Sequence, residues 1–453
     1  MKKYLLVILL FASGILFASC SESLERADVD QAPECVNSFD VSLSEMNRID
    51  FSQMISPMTK SAGNLSKEIT PIVVGADTLL YIINYENQSG WVIASGDKRS
   101  PLILAMGEND NFDISKIPAH PGINLWLERM KDEIKFLKDH PDYVPDSTYL
   151  RAWSAESEAT KGGGGEHEGE WLQLVYTIVD YSDLHYNVDH FMSTHWGQEE
   201  PWNSCLPLDY EGSRCPAGCM IVAGAQTAYY LHNKIGKPTT AYQYGICNDY
   251  YNQSPSISLY NSSSSVWNTM ALDSSSTSTS GKQAVAALMA DVGKKANANW
   301  NPNGTQASLD GVRNYFSNYS VSCSAGSFDN ETVLSEVLAE KPVIVALSSV
   351  NPSVIGDHTA VIDGILVYSE RYTYYYQWMP MGTYPPVEPE YPDLDHPELY
   401  VIGQAWGDNT SYYYRLNWGF DDGYLDQGYF LFGTQWGIAS MRYTPDAILY
   451  NFH

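Results

Sequence analysis

A long uncharged run follows the second of two closely spaced cysteines in the stretch RCPAGCMIVAGAQTAYYLH, residues 214–232. From Cys219 to Leu231 the run contains neither proline nor a charged side chain, so we predict a buried helix that begins at or near Cys219. The N–H groups at a helix N-terminus are free and carry partial positive charge. A cysteine there has a stabilised thiolate, and its own N–H is available to an oxyanion. Cys219 is therefore the candidate nucleophile, with a buried inert thiol as the alternative, and Cys215 is assigned to the approach loop.

A cysteine nucleophile needs a base, and His358 is the best placed of the ten histidines. It stands at the start of an apolar strand-like run, GDHTAVIDG, in which strand alternation turns Asp363 away from the imidazole. Asn417, in the stretch RLNWGF, can accept a hydrogen bond from one ring nitrogen, and Trp418 can exclude water from that bond. The alternative for this pair is a turn asparagine beside a core tryptophan.

An oxyanion donor is predicted upstream, in the stretch THWGQEEPWNSC. Gln198 lies 21 residues before Cys219, and its side-chain amide can donate to the developing oxyanion beside the Cys219 N–H. A single glutamine carries little weight alone. The order glutamine, cysteine, histidine and then Asn-Trp is what indicates a Cys–His enzyme.

These local sequences, in this order, resemble the streptopain family of bacterial cysteine peptidases, a branch of the papain-like clan. WGQEEPWNSCLP is similar to the family's Trp-x-Gln-x-x-Pro-Tyr-Asn segment, with Trp202 in place of Tyr, and GCMIVAGAQ is similar to its catalytic helix start, with Ile221 where Ala is usual. GDHTAVIDG and LNWGFDDGYLDQGYF are similar to its His and Asn-Trp-Gly-Trp segments, with Phe420 for the second Trp. GWVIASGDKRSPLILAMGENDNFD resembles its propeptide domain. The separation of the cysteine and the histidine also lies within the range of about 130–150 residues seen in papain-like enzymes.

The resemblance covers most of residues 70–453 and implies an α+β fold. This fold consists of a small α+β propeptide domain followed by a papain-like two-lobed catalytic domain. The catalytic domain has a helical lobe and an antiparallel β lobe. The implied activity is that of a latent endopeptidase on proteins or peptides, held inactive by its own propeptide and needing no cofactor. The roles it carries over are nucleophile for Cys219, base for His358, oxyanion donor for Gln198 and support of the histidine for Asn417 and Trp418.

The sequence departs from the family pattern at two places. Ile221 replaces a smaller residue one turn into the catalytic helix and is expected to shift that helix. His358 and Asn417 are 59 residues apart, far more than usual, because a Tyr/Pro-rich insertion lies at about 368–400. Its proline content argues against a helix or a central strand, so we predict a surface hairpin or loop.

The N-terminus, MKKYLLVILLFASGILFASCSES, has the pattern of an export signal. Lys2 and Lys3 precede an apolar run of roughly 14 residues, which is too short to span a bilayer comfortably. The end of the run resembles the lipobox of bacterial lipoproteins, which implies cleavage before Cys20 and lipidation of that residue. We therefore expect an exported, membrane-anchored lipoprotein that faces the periplasm or the cell surface, with an ordinary signal peptide as the alternative.

Shifts in composition divide the chain into five predicted segments. Three strand-like runs and a helical pattern over residues 124–140 indicate a compact α+β unit, and a Gly-rich stretch after it indicates a linker open to proteolysis. The segments are a signal peptide (1–19), a polar lead-in after lipidated Cys20 (20–65), the propeptide domain (66–150), the linker and activation region (151–170) and the peptidase domain (171–453).

The charge and the cysteines exclude some functions and leave others open. A net charge of −28, from 26 basic and 54 acidic residues, argues against nucleic acid and anionic membrane surfaces as partners. A metal site at Cys205, Cys215 and Cys219 is disfavoured because no histidine or fourth thiolate is suitably spaced nearby. Two alternatives to a peptidase remain: an acyltransferase or amidase with the same Cys–His arrangement, and a surface binding lipoprotein whose catalytic domain has decayed.

Overall fold

A computed structural model gives the structure of part of the chain. The residues it describes are 39–52, 66–143, 170–239, 242–243, 250–251, 260–261, 266–349, 356–380, 400–421, 425–426, 428–432 and 447–453. The predictions for the signal peptide, for Cys20, for nearly all of the Gly-rich linker and for the proline-rich part of the insertion lie outside these residues. We call residues 39–143 the N-terminal region and residues 170–453 the C-terminal region.

Helices and antiparallel strands are mixed throughout the described residues, as the predicted α+β class requires. The α-helices are α1 (Leu43–Asn47), α2 (Pro121–Asp139), α3 (Cys219–Ile235), α4 (Thr279–Lys295), α5 (Leu309–Asn318) and α6 (Asn330–Leu338), with 3₁₀ turns at Glu86–Gln88, Ile114–Ala119 and Trp267–Thr269. The strands are β1 (Ile49–Asp50), β2 (Lys67–Val74), β3 (Asp77–Tyr85), β4 (Trp91–Ser95), β5 (Ile103–Gly107), β6 (Glu170–Val188), β7 (Tyr242–Gln243), β8 (Tyr260–Asn261), β9 (Ser324–Gly326), β10 (Val343–Leu347), β11 (His358–Pro380), β12 (Tyr400–Asn417), β13 (Gly428–Leu431) and β14 (Ala447–Tyr450).

One sheet runs through both regions in the order β2-β3-β4-β5-β13-β12-β11-β10-β14-β9, and β6 pairs with both β11 and β1. Strands β2 to β5 of the N-terminal region form a meander whose last member, β5, pairs antiparallel with β13 of the C-terminal region. Two bonds reinforce this junction: the Trp126 indole donates to the Leu431 carbonyl at 3.2 Å, and the Tyr413 hydroxyl donates to the Ile103 carbonyl at 2.8 Å. The N-terminal region is thus joined to the C-terminal region by backbone pairing as well as by packing.

The N-terminal region confirms the three predicted strands and the predicted helix, with small shifts at their ends. Strand β2 was not predicted, because its side chains are largely exposed and it contains Pro71, which an edge strand tolerates. The prediction of a polar lead-in up to residue 65 is wrong for residues 39–52. A capping box starts α1 there, and Met46 and Phe51 are fully buried in the core.

Helix α3 begins at Cys219 as predicted and is buried along most of its length. It packs against α4 and α5 in a core separate from the one beneath the sheet. Strand β11 separates the two cores, because Val361 belongs to the helical core while Ala360 and Ile362 belong to the sheet core. The predicted alternation along this strand is therefore confirmed, and it fixes the face on which His358 lies.

The insertion differs in part from its prediction. Residues 368–380 continue β11, and their backbone pairs with β12 on one side and with β6 on the other. The hairpin is confirmed for this part, but β11 is a central strand, which the proline content of the whole run had argued against. The prolines that gave that signal follow Met379 and mostly fall outside the described residues.

None of the helices in the described ranges has the length and apolarity needed to span a bilayer.

Candidate active site

The candidate nucleophile occupies the first position of α3, where backbone N–H groups have no partner within the helix. The carbonyl of Gly218 accepts from Ile221 N–H at 3.0 Å and from Val222 N–H at 3.1 Å, which closes the first turn beneath Cys219. The Ile221 side chain is fully buried, and its Cδ1 faces Gly293 of α4, where an added Cβ would come within 2.9 Å of it. The same added Cβ would lie 2.3 Å from the Trp300 ring, so Gly293 makes room for Trp300 and Ile221 together.

Cys219 and His358 form a hydrogen-bonded pair. Burial alone would raise the pKa of the thiol, but the charge of His358, its hydrogen bond and the backbone of Thr359 outweigh burial and lower that pKa. Burial alone would lower the pKa of the imidazole, but the charge of Cys219, the same hydrogen bond and the Trp418 carbonyl raise it. The two shifts favour a thiolate beside an imidazolium, which is the ionic form that a cysteine nucleophile needs.

The ring of His358 is oriented by a backbone carbonyl. Its Nε2 lies 2.9 Å from the Trp418 oxygen, and since a carbonyl only accepts, Nε2 carries the proton and donates it. Nδ1 is then the nitrogen left to exchange a proton with the thiol. Aromatic rings cover the imidazole, with the Phe420 ring stacked at 5.8 Å and the Trp418 ring tilted at 6.2 Å. His358 is only 3 % exposed, which protects its bonds from competing water.

The expected bond between Asn417 and His358 is not present among the described residues. The Asn417 amide oxygen accepts from Gln226 Nε2 at 2.9 Å and from Gly419 N–H at 3.1 Å, and its amide nitrogen donates to the Thr194 carbonyl at 2.6 Å. Both acceptor positions of the amide oxygen and one N–H of the amide nitrogen are therefore occupied by groups other than the imidazole. The acceptor predicted on the Asn417 side chain is instead the carbonyl of its neighbour, Trp418.

Gln198 lies beside the segment that leads into the nucleophile. Its carbonyl accepts from the Ala217 N–H at 2.8 Å, two residues before Cys219, and its side chain is half-buried. The indole of Trp196 anchors the same stretch by donating to the Ala271 carbonyl at 2.7 Å. Gln198 is thus in the neighbourhood that an oxyanion donor requires.

Asp363 points away from His358, as the alternation predicted. Its carboxylate accepts from Met192 N–H at 3.3 Å, and burial together with the nearby charge of Asp426 raises its pKa to about 8. Asp426 in turn accepts from Trp418 N–H at 3.3 Å and pairs with His195 at 2.9 Å. This acidic pair lies behind the loop that carries the histidine's acceptor.

The start of α2 in the N-terminal region touches the same histidine. A Cβ added at Gly122 would lie 2.4 Å from His358 Cδ2 and 2.6 Å from Trp418 Cε3, so only a glycine fits there. His120 packs edge-on against Phe420 at 4.7 Å, on the ring that also stacks on His358. Neither residue was predicted, because nothing in the PAHPGIN sequence distinguishes an ordinary helix start from one fitted to an active site.

The remaining cysteines and possible metal ligands offer no second site in the described part of the chain. The cysteines described there are Cys205 and Cys215, which are buried, and Cys219 and Cys323, which are partly exposed. No group of histidine, cysteine and acidic side chains among the described residues could hold a metal ion.

Comparisons with known proteins agree with this geometry. The profile of the Peptidase C10 family matches residues 196–430, which is more than half of the chain, and that of the Spi protease inhibitor matches residues 49–134. The chain therefore belongs to the Peptidase C10 family and is a cysteine-type peptidase with an inhibitor-like propeptide domain.

Individual relatives are more distant. Streptopain of Streptococcus pyogenes serotype M1 is 26% identical over 304 residues, which is 63% of this chain and 68% of the relative. Streptopain of the serotype M3 strain SSI-1 is 27% identical over 247 residues, 52% of this chain and 53% of the relative. A solved structure of a Prevotella intermedia prointerpain A fragment superposes with a TM-score of 0.50 at 16% identity and covers 85% of this chain and 98% of its own. That likeness shows a shared fold, with the N-terminal region included.

The lowered pKa of Cys219 predicts its reactivity. In protein opened by limited proteolysis of the linker, iodoacetamide should alkylate Cys219 at pH values well below the ordinary thiol pKa of about 8.5. Cys323, whose pKa burial raises to about 11, should stay unmodified over the same range and serves as the control within the chain. The alkylated peptides are quantified by mass spectrometry from pH 5 to pH 10.

In the His358→Ala variant the pH midpoint of Cys219 alkylation should move to higher pH, because the charge and the hydrogen bond that stabilise the thiolate are gone. Equal midpoints in wild type and variant would show that His358 does not activate the thiol.

Proposed function

We propose that the chain is a cysteine endopeptidase zymogen in which Cys219 attacks the peptide carbonyl of protein substrates. The observation that carries this proposal is the pairing of Cys219 with a histidine whose other nitrogen is fixed by the Trp418 carbonyl. The thiolate forms the acyl bond, and the imidazolium gives its proton to the leaving amine. The neutral imidazole then takes a proton from the attacking water, the carbon–sulfur bond of the acyl enzyme breaks to release the acid, and the thiolate–imidazolium pair is regenerated.

The oxyanion that forms at each tetrahedral step faces the Cys219 N–H at the start of α3, with the Gln198 amide as second donor. Removing one such donor raises the activation barrier by about 3 kcal/mol in well-studied cases, so we expect the Gln198 side chain to contribute substantially to stabilising the oxyanion. An acyltransferase or amidase and a decayed binding protein are not favoured. The chain belongs to a peptidase family, and the nucleophile, the base and the glutamine are all present.

The test is covalent labelling with casein hydrolysis measured in parallel. The chain from Ser21 onward is activated by limited proteolysis and treated with an epoxide probe for cysteine peptidases. We expect wild type and Cys215→Ala to label and to cleave casein, and Cys219→Ala to do neither. Labelling that survives Cys219→Ala would overturn the assignment of the nucleophile, and labelling of wild type without casein cleavage would favour a non-peptidase enzyme.

We propose further that the N-terminal region keeps the enzyme latent until the linker over residues 151–170 is cut. Support comes from the β5–β13 pairing, which places α2 over the site, and from the fit of Gly122 against His358 and Trp418. A substrate chain cannot occupy the space that the start of α2 fills. Because the region is held by backbone pairing, cleavage of the linker frees it only when the pairing also separates.

Substitution of Gly122 tests this latency. Its β-carbon would overlap the imidazole, so Gly122→Ala should displace the start of α2 and let the epoxide probe label the uncleaved chain at least about tenfold faster, as expected for a misfit of this size. Glu128→Ala, at a partly exposed position on the same helix, should label as slowly as wild type. Intact mass identifies the uncleaved species, and thermal unfolding checks that each variant is folded. Slow labelling of a folded Gly122→Ala chain would contradict the proposal.

We propose that the enzyme is exported and anchored by lipid on Cys20, which would place it on a membrane facing the periplasm or the cell surface. The lipobox-like Phe-Ala-Ser-Cys sequence supports this. When the full chain is expressed in a bacterial host with a radiolabelled or alkyne-tagged fatty acid, the label should enter wild type and Cys35→Ser but not Cys20→Ser. Incorporation that is unchanged in Cys20→Ser, or absent from wild type, would rule the anchor out.

A further inference from the structure

A closed network of three buried side chains lies behind the catalytic loop. The Thr194 hydroxyl donates to Gln226 Oε1 at 2.9 Å, Gln226 Nε2 donates to Asn417 Oδ1 at 2.9 Å, and Asn417 Nδ2 donates to the Thr194 carbonyl at 2.6 Å. Gln226 is 0% exposed, Thr194 1% and Asn417 4%. Burying polar groups this deeply costs free energy unless they are hydrogen-bonded, so each member depends on the other two.

The backbone fixes which way each amide in this network points. The Gly419 N–H can only donate and lies on one end of the Asn417 amide, and the Thr194 carbonyl can only accept and lies on the other. The amide oxygen of Asn417 therefore faces Gly419, which leaves Gln226 to present its NH₂ group. The Thr194 hydroxyl then completes the bonding by donating to the oxygen of Gln226.

The network reaches His358 through a single peptide group. The Gly419 N–H that donates to Asn417 belongs to the same peptide unit as the Trp418 carbonyl that accepts from His358 Nε2. A peptide whose N–H is bonded to a strong acceptor becomes a better acceptor at its carbonyl, because hydrogen bonds in series polarise one another. Asn417 thus affects the imidazole through the peptide, even though the two side chains do not touch.

The same network ties the base to the nucleophile. Gln226 follows Cys219 by seven residues, close to two helical turns, so both side chains leave α3 on the same face. Gln226 therefore links the helix that carries the thiol to the loop that orients the imidazole. We infer that Gln226 is a positioning residue for peptide hydrolysis, which holds Asn417 and the Trp418–Gly419 peptide so that the carbonyl can orient His358. This inference rests on the proposed function.

Gln226→Glu distinguishes this role from a purely structural one. Ionised glutamate keeps an acceptor for the Thr194 hydroxyl but has no donor for Asn417, whereas protonated glutamate regains an O–H donor. Burial holds the pKa of such a carboxyl above its usual range, so the donor returns as the pH falls. We expect the kcat of the variant, divided by that of wild type at the same pH, to fall at least about tenfold at pH 8 and to recover substantially by pH 5.5, with KM within a factor of about two.

Thr227→Val is the matched control, since Thr227 is the next residue of α3. It is also fully buried, and among the described residues its hydroxyl has no hydrogen-bond partner. It should keep the kcat of wild type at both pH values. Thr194→Val makes the same hydroxyl-to-methyl change inside the network. It should lower kcat at both pH values, with no recovery of kcat at pH 5.5, because valine cannot gain a hydrogen-bond donor. Thermal unfolding of each variant checks that it is folded.

The outcomes separate this inference from the proposed function. Absence of casein cleavage by wild type would mean that the proposed function has failed, whatever Gln226 does. Wild-type cleavage with an unimpaired Gln226→Glu, with a loss that does not depend on pH, or with an effect on KM alone would overturn the positioning role of Gln226 and leave the peptidase assignment intact.

Discussion

The site depends on one imidazole that is held at both of its nitrogens. The Trp418 carbonyl accepts a hydrogen bond from the Nε2–H of His358, which leaves Nδ1 for the Cys219 thiol. Three separate elements meet there: α3 brings the cysteine, the first residue of β11 is the histidine, and the loop after β12 supplies the carbonyl. A small shift of any one of them would break the pair, since hydrogen bonds weaken steeply with distance and angle.

Burial makes this arrangement both fragile and effective. In a site shielded by Trp418 and Phe420, the attraction between thiolate and imidazolium is stronger than it would be in water. The same shielding penalises an unpaired charge, which is why burial by itself would push both pKa values toward the neutral pair. The ion pair is favoured only because each partner and each neighbouring donor or acceptor is in place. Gln226 and Thr194 matter for this reason, although they contact neither reacting group.

The sequence predicted those parts of the site that have a local signature. The Pro-Ala-Gly turn before an uncharged run located the start of α3 at Cys219, and an apolar strand beginning at His358 set the face of the imidazole. The carbonyl that orients the ring could not be predicted in the same way, because every residue has one and only the path of the loop selects it. Asn417 has a side chain that suits the role, so the prediction went to it instead.

Other differences have the same origin in tertiary structure. Gln226 is a polar residue within the apolar first part of α3, and only the approach of the β12 end shows what it bonds. The prolines near residue 390 argued against a central strand, yet residues 368–380 pair on both sides, because the signal came from a neighbouring part of the insertion.

The loop over residues 417–420 has two sides with different partners. Its polar side is hydrogen-bonded to His358, Gln226, Thr194 and Asp426, all in the C-terminal region, while Trp418 and Phe420 on its aromatic side contact the start of α2. Departure of the N-terminal region would therefore uncover the site without breaking any of the hydrogen bonds that orient the histidine, so the latency we propose acts by covering an assembled site.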